Sequence, residues 1–105
     1  MPLTRIERWD VRRDGPLSET SLQRKIESRG FEISARVYPA AVAEAEAFDE
    51  RESVTAVVRG HVRLTLNGDP ELLTDGDVAF IPPRTSRRLE AAGSAPPLCL
   101  EAYRR

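Results

Sequence analysis

The feature that most constrains the fold of this chain is a succession of short, strand-like segments separated by turn-forming residues. The turns fall at Gly60, Asn67-Gly68 and Asp75-Gly76. Asn and Gly both tolerate the positive φ that a tight hairpin requires, so Asn67-Gly68 is the clearest of these turns. The segments between and after the turns are SVTAVVR, HVRLTL, ELLT, VAFIPP, RRLEAA and LCLEAY. Segments of this length and spacing are typical of an all-β sandwich or barrel.

The first part of the chain predicts a strand, a helix and a second strand. Residues 3–12 mix apolar and charged side chains and predict an edge strand, in this sheet or in that of a neighbouring subunit. Ser18 can cap a short helix that ends at Gly30, with Leu22 and Ile26 on one face. The segment FEISARVY then alternates apolar and polar side chains, as a half-buried strand does. Residues 40–47 are ambiguous between a helix and an extended segment.

Size and composition narrow the class of protein. A chain of 105 residues has the size of one domain with one core. The net charge of −1 gives no basic field that would attract nucleic acid or an anionic membrane, and no stretch approaches about 18 apolar residues. The single cysteine, Cys99, excludes an intramolecular disulfide and sits between leucines, as an inert buried thiol does. We therefore expect a cytoplasmic protein with neither nucleic acid nor membrane as its partner.

Residues 76–90, GDVAFIPPRTSRRLE, carry the most specific motif. They resemble the second signature of the cupin superfamily, in which Gly, Pro, Gly and a metal-binding His follow at fixed spacing. Gly76 and Pro82 match this signature, whereas Arg84 replaces its second glycine and Arg87 replaces its histidine. The chain is thus similar to small single-domain cupins of the cupin 2 conserved barrel type. The resemblance implies one cupin domain over residues 1–105: a strand and short helix in 1–30, then an antiparallel jelly-roll β-barrel in 31–103.

The first cupin signature survives only in its spacing and its last glycine. Anchoring that glycine on Gly60 places the signature's glutamate position at Ser53. The two histidine positions then fall on Ala47 and Asp49 or, with the shorter spacing, on Glu46 and Phe48.

All four usual metal-ligand positions therefore depart from the family pattern. A mononuclear cupin site needs about three imidazoles, often with a carboxylate, and this chain has one histidine, His61, which matches no ligand position. We therefore expect no metal and no other cofactor. An unusual site for a hard cation stays open as an alternative, built from the acidic residues Glu46, Asp49, Glu50 and Glu52.

Strand periodicity predicts the direction of the Arg87 side chain independently of the family resemblance. In the segment RRLEA, Arg87 shares a face with Leu89, so it should point into the barrel. A guanidinium on an apolar face needs acceptors. Two kinds of acceptor are possible. Arg87 could form an internal ion pair with Asp49, or it could bind a carboxylate or phosphate group of a small ligand, with Arg84 at the mouth of the barrel.

Three further residues complete the predicted ligand-binding set. The signature alignment places Thr55 and Arg59 on the inward face of the segment SVTAVVR. Glu101, in the last strand, is a second candidate partner for Arg87, although that strand is apolar on both faces.

The other face of the segment SVTAVVR is wholly apolar, with Val54, Ala56 and Val58. A sheet with a solvated outer face would show polar residues there, so this row should be covered. The N-terminal helix or a second subunit could cover it, and a homodimer is the common outcome in cupins.

These observations favour a small metal-free cupin that binds a small anionic metabolite or serves as a non-catalytic scaffold. The alternatives are a metal-dependent cupin enzyme of oxygenase or sugar-isomerase type with a carboxylate-rich site, and a regulatory or protein-interaction module. The sequence does not decide whether the protein is an enzyme.

Overall fold

Two antiparallel sheets and two short helices form the part of the chain that the computed structural model describes, residues 4–42 and 47–105. The five-stranded sheet has the order β1-β6-β3-β8-β2 and the three-stranded sheet the order β5-β4-β7. The predicted all-β class with an N-terminal helix is confirmed. The elements in chain order are β1 (Arg5–Glu7), α1 (Val11–Asp14), α2 (Glu19–Ser28), β2 (Phe31–Val37), β3 (Ser53–Arg59), β4 (Val62–Leu66), β5 (Asp69–Leu73), β6 (Val78–Ile81), β7 (Arg87–Ala91) and β8 (Leu98–Arg104).

The predicted N-terminal elements form, and the capping chemistry explains where the main helix begins. The Ser18 hydroxyl accepts a hydrogen bond from the Ser21 amide at 3.0 Å, and the Ser21 hydroxyl accepts one from the Ser18 amide at 2.8 Å. This reciprocal arrangement satisfies two amides that the helix itself leaves unpaired. Strand β1 pairs antiparallel with β6 of the same chain and lies at the edge of the five-stranded sheet. It is shorter than the edge strand predicted for residues 3–12, because it covers only Arg5–Glu7 and helix α1 begins at Val11.

The outward row of β3 is covered by helix α2. Val54, Ala56 and Val58 belong to one buried apolar cluster with Leu22 and Ile26 of the helix. Removing a side chain of this kind from water contributes about 1.5–3 kcal/mol, so this layer is a major source of stability. The predicted cover is therefore the helix, and the homodimer stays a prediction.

A second apolar cluster lies between the two sheets. It joins residues of both sheets, which shows that they pack face to face as in a jelly-roll barrel: Val57, Ala79, Ile81 and Cys99 from the larger sheet, and Val62, Leu64, Leu66 and Leu73 from the smaller. Ser53 and Thr55 point the same way as Val57, because alternate residues of a strand share a face. The interior of the barrel thus contains polar side chains next to this apolar cluster.

Glycines at three turns are needed for their backbone conformation or for close contacts, and two of them, Gly60 and Gly76, belong to the signatures. Asn67 and Gly68 have φ of 48° and 86°, which confirms the hairpin between β4 and β5. Gly76 has φ of 83°, and a Cβ there would collide with Trp9. Gly60 has φ of 98°, and its Cβ would lie 2.8 Å from the Pro97 Cα.

The ambiguous segment at residues 40–47 is only partly covered by the structure. Residues 40–42 form neither helix nor strand, and residues 43–46 lie outside the described residues. Ala47 forms an isolated antiparallel bridge with Arg87. None of the helices within the described residues has the length and apolar composition needed to cross a membrane.

Candidate functional site

Arg87 is buried at the start of β7 and is held by two neutral hydroxyl groups. Its residue is only 8% exposed. One guanidinium nitrogen donates to the Ser53 Oγ at 2.9 Å, and the other terminal nitrogen donates to the Tyr103 hydroxyl at 3.0 Å. Both acceptors lie in the larger sheet, so Arg87 reaches across from the smaller sheet.

The inward direction predicted for Arg87 is confirmed by its neighbours on β7. Leu89, two residues further on, packs against the apolar cluster between the sheets. Arg88, on the opposite face, is exposed. The alternation of side chains along a strand therefore places the substituted signature residue inside the barrel.

Tyr103 is flanked by two arginines. The Arg51 guanidinium lies 4.0 Å from the ring centroid and that of Arg87 lies 5.8 Å from it. Cation–π contacts of this kind are worth about 0.5–2 kcal/mol and fix the orientation of the ring. Tyr103 is thereby held where its hydroxyl can accept from Arg87.

The predicted ion pair between Asp49 and Arg87 is not among the ion pairs of the described residues, and the structure gives Asp49 a different partner. The Asp49 carboxylate accepts from the Arg51 side chain at 3.1 and 3.2 Å and from the Arg51 amide at 2.8 Å. These bonds lower the pKa of Asp49 below its usual value, chiefly through the Arg51 side chain, while the charge of Arg87 adds only the smallest contribution. A partner two residues away is reached with less ordering of the chain than one on another strand.

Arg84 lies on the exposed rim rather than beside Arg87. Its side chain forms an ion pair with Glu50 at 3.0 Å, and both side chains are largely exposed to solvent. Its amide donates to the Asp49 carbonyl at 2.8 Å, which ties the loop before β7 to the loop before β3. Arg84 has φ of 60°, so the signature position that is usually glycine keeps its left-handed backbone although the residue has changed.

Thr55 and Glu101 face each other across β3 and β8 on the interior side of the sheet. They are register partners in the ladder between these strands, and cross-strand partners share a face. Thr55 is fully buried, and its hydroxyl has no hydrogen-bond partner among the described residues. Glu101 is half-buried and lines a cavity of about 350 Å³ with Val37, Tyr38, Pro39, Ala40, Val42 and Leu89.

Arg59 does not join this group, which corrects its predicted inward position. It is exposed at the end of β3, beyond a register shift in the ladder with β8. Its charge contributes to lowering the pKa of Glu19 on helix α2, after the larger effects of Arg36. Arg59 therefore lies towards the helix, because the register shift interrupts the alternation that the sequence alignment assumed.

Those residues at the family's metal-ligand positions that the structure describes do not fit a metal ion. Ala47 has no donor side chain, Ser53 accepts from Arg87, and Asp49 is paired with Arg51. Glu50 and Glu52 are paired with Arg84 and Arg104, at 3.0 and 2.8 Å.

The alternative acidic site is likewise not assembled by the residues that the structure describes. Within residues 4–42 and 47–105, no three His, Cys, Asp or Glu side chains converge as metal ligands would. Glu46, which belonged to both the shorter histidine spacing and the acidic alternative, lies outside the described residues. Phe48 is 60% exposed and has no donor atom in its side chain.

Neither Cys99 nor His61 provides a reactive side chain for this site. Cys99 is fully buried, and burial together with the charge of Glu101 raises the pKa of its thiol to about 12. A thiol in this state is not a nucleophile at neutral pH. His61 is exposed and lines a different cavity.

That other cavity has a volume of about 750 Å³, and none of the predicted ligand-binding residues lines it. It lies between the N-terminal segment and the hairpin of β4 and β5. Its most buried ionic group, Asp77, already accepts from Arg8 at 2.5 Å and from the Thr74 amide at 2.9 Å. We take the interior around Arg87 as the candidate site, because within residues 4–42 and 47–105 the hydrogen-bond partners of Arg87 are uncharged hydroxyls and the buried Thr55 hydroxyl has none.

Tyr103 and Arg51 were not predicted from the sequence. Ser53 was noted only because it replaces the glutamate of the first signature. Tyr103 could have been found from Glu101, since residues two apart on a strand share a face. Nothing in the sequence indicates that Arg51 would stack on Tyr103.

The comparisons with known proteins agree with this architecture. The family model described as "Cupin domain" matches residues 34–103, about two thirds of the chain. No curated protein matches the chain significantly.

Several solved structures are similar in fold. A cupin 2 domain-containing protein from Halorhodospira halophila is 24% identical with a TM-score of 0.66, over 98% of this chain and 77% of that one. A cupin protein from Bacteroides fragilis is 24% identical with a TM-score of 0.61, over 72% of this chain and 66% of that one. A salicylate 1,2-dioxygenase from Pseudaminobacter salicylatoxidans is 20% identical with a TM-score of 0.56, over 65% of this chain but only 19% of the enzyme. Together with the family match, the two antiparallel sheets and the signature glycines place this chain in the cupin family.

Proposed function

We propose that this protein is a small cupin that binds a small anionic metabolite inside its barrel, with Arg87 as the residue that contacts the anion. The observation that carries the proposal is the environment of the Arg87 guanidinium. The residue is 8% exposed, and its guanidinium donates to two hydroxyls, which accept hydrogen bonds but bring no negative charge. A desolvated cation of this kind favours an anion as a further acceptor.

The chemistry of arginine defines the ligand group. A guanidinium has five N–H donors, and two hydroxyls leave others for a ligand. A carboxylate or phosphate can accept two parallel hydrogen bonds from its planar fork. Arg87 therefore favours a carboxylate or phosphate over a neutral ligand.

The rim of the barrel carries two arginines that an anion would meet on entry. Arg51 is stacked on Tyr103 and Arg84 stands at the rim, and each is paired with a carboxylate. Ion pairs between exposed side chains are worth only about 0–1 kcal/mol, so an incoming anion displaces them at small cost. Arg51 and Arg84 would thus guide the anion, whereas Arg87 would hold it.

The proposal is tested by measuring which anions stabilise the protein. Thermal-shift measurements with phosphate and with small mono- and dicarboxylates should find at least one anion that raises the Tm. Isothermal calorimetry should then show that Arg87→Met weakens the binding of that anion at least about tenfold, as expected for loss of a charge-assisted hydrogen bond.

Two controls make the result specific. Arg88→Met removes the same charge from the exposed face of the same strand, so it should leave the anion affinity within about twofold. Binding should also persist in the presence of EDTA, because protein side chains rather than a metal would hold the ligand. The proposal fails if no anion stabilises the wild type more than Arg87→Met, or if EDTA abolishes binding together with release of a stoichiometric metal.

A further inference from the structure

The cavity between the N-terminal segment and the hairpin of β4 and β5 lies apart from the barrel interior. Its volume of about 750 Å³ is within the range of small-ligand sites. Its lining comes from the segment after β1, from the start of β4, and from the end of β5 with the turn that follows it. Arg87 does not line this cavity, so a ligand bound there would be independent of the proposed anion site.

One wall of the cavity is apolar and includes Trp9 and Leu72. Leu72 is 63% exposed, which is unusual for a large aliphatic side chain on a strand, and Trp9 is half-buried. Trp9 is held in place, because its indole N–H donates to the Gly15 carbonyl at 2.9 Å and a Cβ at Gly76 would collide with its side chain. The wall therefore offers a fixed aromatic and an aliphatic side chain to the C–H groups of a ligand.

The charged side chains that line the cavity balance each other. Arg8 and Arg63 are positive, whereas Asp75 and Asp77 are negative. Arg8 forms an ion pair with Asp77 within the lining itself. With two charges of each sign, the lining does not select an ion, in contrast to the surroundings of Arg87.

The polar side chains of the lining retain hydrogen-bonding capacity. The His61 imidazole is exposed and has no hydrogen-bond partner among the described residues. One oxygen of the Asp75 carboxylate accepts from the Gly60 amide at 2.7 Å, which leaves its other oxygen for a ligand. Arg63 uses one of its five N–H donors, on Glu90 at 3.3 Å. The cavity therefore presents donors and acceptors together.

We infer that this cavity binds a neutral, polyhydroxylated ring of the size of a monosaccharide. Each hydroxyl of such a ring both donates and accepts, which suits a lining that contains His61, Arg63 and Asp75. The C–H face of the ring would pack against Trp9 and Leu72. The ligand class and the residues differ from those of the proposed function, so this site is an addition to it.

The fluorescence of Trp9 provides the measurement, because it is the only tryptophan of the chain and it lines the cavity. Titration with glucose, galactose and mannose should give a saturable change with at least one of them. That sugar should bind at least about tenfold more tightly than cyclohexanol, which has a six-membered ring but a single hydroxyl. Its 2-amino and uronate derivatives should bind at least about threefold more weakly than the neutral sugar, because the lining offers no net charge to compensate theirs.

Substitutions in the lining should weaken binding of that sugar without unfolding the protein. Leu72→Ala and His61→Ala should each reduce its affinity at least about threefold, through lost packing and a lost hydrogen bond respectively. Both positions are exposed, so the Tm without ligand should change little. Val11→Ala is the matched control, since Val11 is 65% exposed and does not line the cavity. It should leave the affinity unchanged.

The outcomes keep this site distinct from the anion site. If none of the three sugars gives a saturable change, or if the charged derivatives bind as tightly as the neutral sugar, the assignment of the ligand class is overturned. If Leu72→Ala and His61→Ala bind the sugar as the wild type does, or if Arg87→Met abolishes its binding, the ligand lies elsewhere and the site is overturned. None of these results changes the test of the proposed function, which measures anions against Arg87→Met.

Discussion

Lys25 on α2 and Arg87 on β7 are both buried cations, and the difference lies in what neutralises them. The Lys25 ammonium lies 3.1 Å from an Asp14 carboxylate oxygen and 3.8 Å from one of Glu7. Arg87 has two hydroxyls as hydrogen-bond partners instead. Carboxylates thus neutralise Lys25 on the helix side. No carboxylate of the described residues lies at hydrogen-bonding distance from Arg87 in the interior.

The comparison indicates two different roles for buried charge in one small fold. The cluster around Lys25 joins β1, α1 and α2, and the Lys25 ammonium also lies 5.2 Å from the centroid of the Trp9 ring. It is complete without any ligand, so it contributes to stability. Among residues 4–42 and 47–105, no carboxylate pairs with Arg87 in this way, and this is what favours a role in binding.

The largest expected effect is the loss of stability when Lys25 is replaced. Lys25→Met should lower the free energy of unfolding by about 3 kcal/mol, because removing the buried ammonium leaves two partly buried carboxylates without that partner. Urea denaturation measures this loss. Arg24→Met, an exposed position on the same helix, should change stability by less than about 0.5 kcal/mol. Equal stabilities of the two variants would show that the Lys25 cluster is not structural.

The pH dependence of stability should come in part from the carboxylates that surround Lys25. The pKa of Asp14 lies below its usual 3.8, chiefly because of the hydrogen bond from Arg13, with further contributions from Lys25. The pKa of Glu7 is likewise lowered, chiefly by Arg29. Carboxyls with a lowered folded pKa stabilise the protein above their unfolded pKa, and this stability is lost as the pH falls through the folded pKa.

Stability should therefore decrease as the pH is lowered from about 5 to about 2. Asp14→Asn should be less stable than the wild type at neutral pH and should lose less stability over this interval, as measured by urea denaturation at a series of pH values. Arg87→Met should keep the wild-type slope. An unchanged slope in Asp14→Asn would contradict the role of this carboxyl.

Replacement of Arg87 should cost little stability, in contrast to Lys25. In Arg87→Met, the loss of two hydrogen bonds is offset by removal of a desolvated charge, so the free energy of unfolding should change by less than about 1 kcal/mol. Urea denaturation without added anions provides the measurement, with Arg88→Met as the exposed control. A loss above about 2 kcal/mol would mean that Arg87 belongs to a complete ion pair, as Lys25 does.

Thr55→Val should produce a small gain in stability. Valine keeps the shape of the side chain and removes the unpartnered hydroxyl, so the free protein should become more stable by about 1 kcal/mol. Thermal unfolding of the ligand-free protein measures this gain. A loss of stability would show that the hydroxyl does have a partner in solution.

Most of the fold could be predicted from the sequence because its determinants are local. The alternation in β2, the serine cap of α2 and the Asn67-Gly68 turn each depend on residues that are close in the chain. Helix α1 was not predicted, since its four residues show no apolar periodicity and it is capped by a single Asp10 side chain.

The candidate site was predictable only in part because its contacts join distant segments. The inward direction of Arg87 follows from periodicity, but its partners belong to β3 and β8, 34 and 16 residues away. The predicted partner Asp49 is taken by Arg51, which is much closer in the chain. Neither outcome can be read from a pattern within one strand.

Strand β3 lies between β6 and β8, and six of its seven residues are buried. Its amide protons are therefore shielded by a neighbouring strand on each edge and by side-chain layers on both faces. Such protons exchange with solvent only when the whole domain opens. Native-state hydrogen exchange of β3 should thus report the global free energy of unfolding without denaturant, and a bound metabolite would slow that exchange by an amount that gives its affinity.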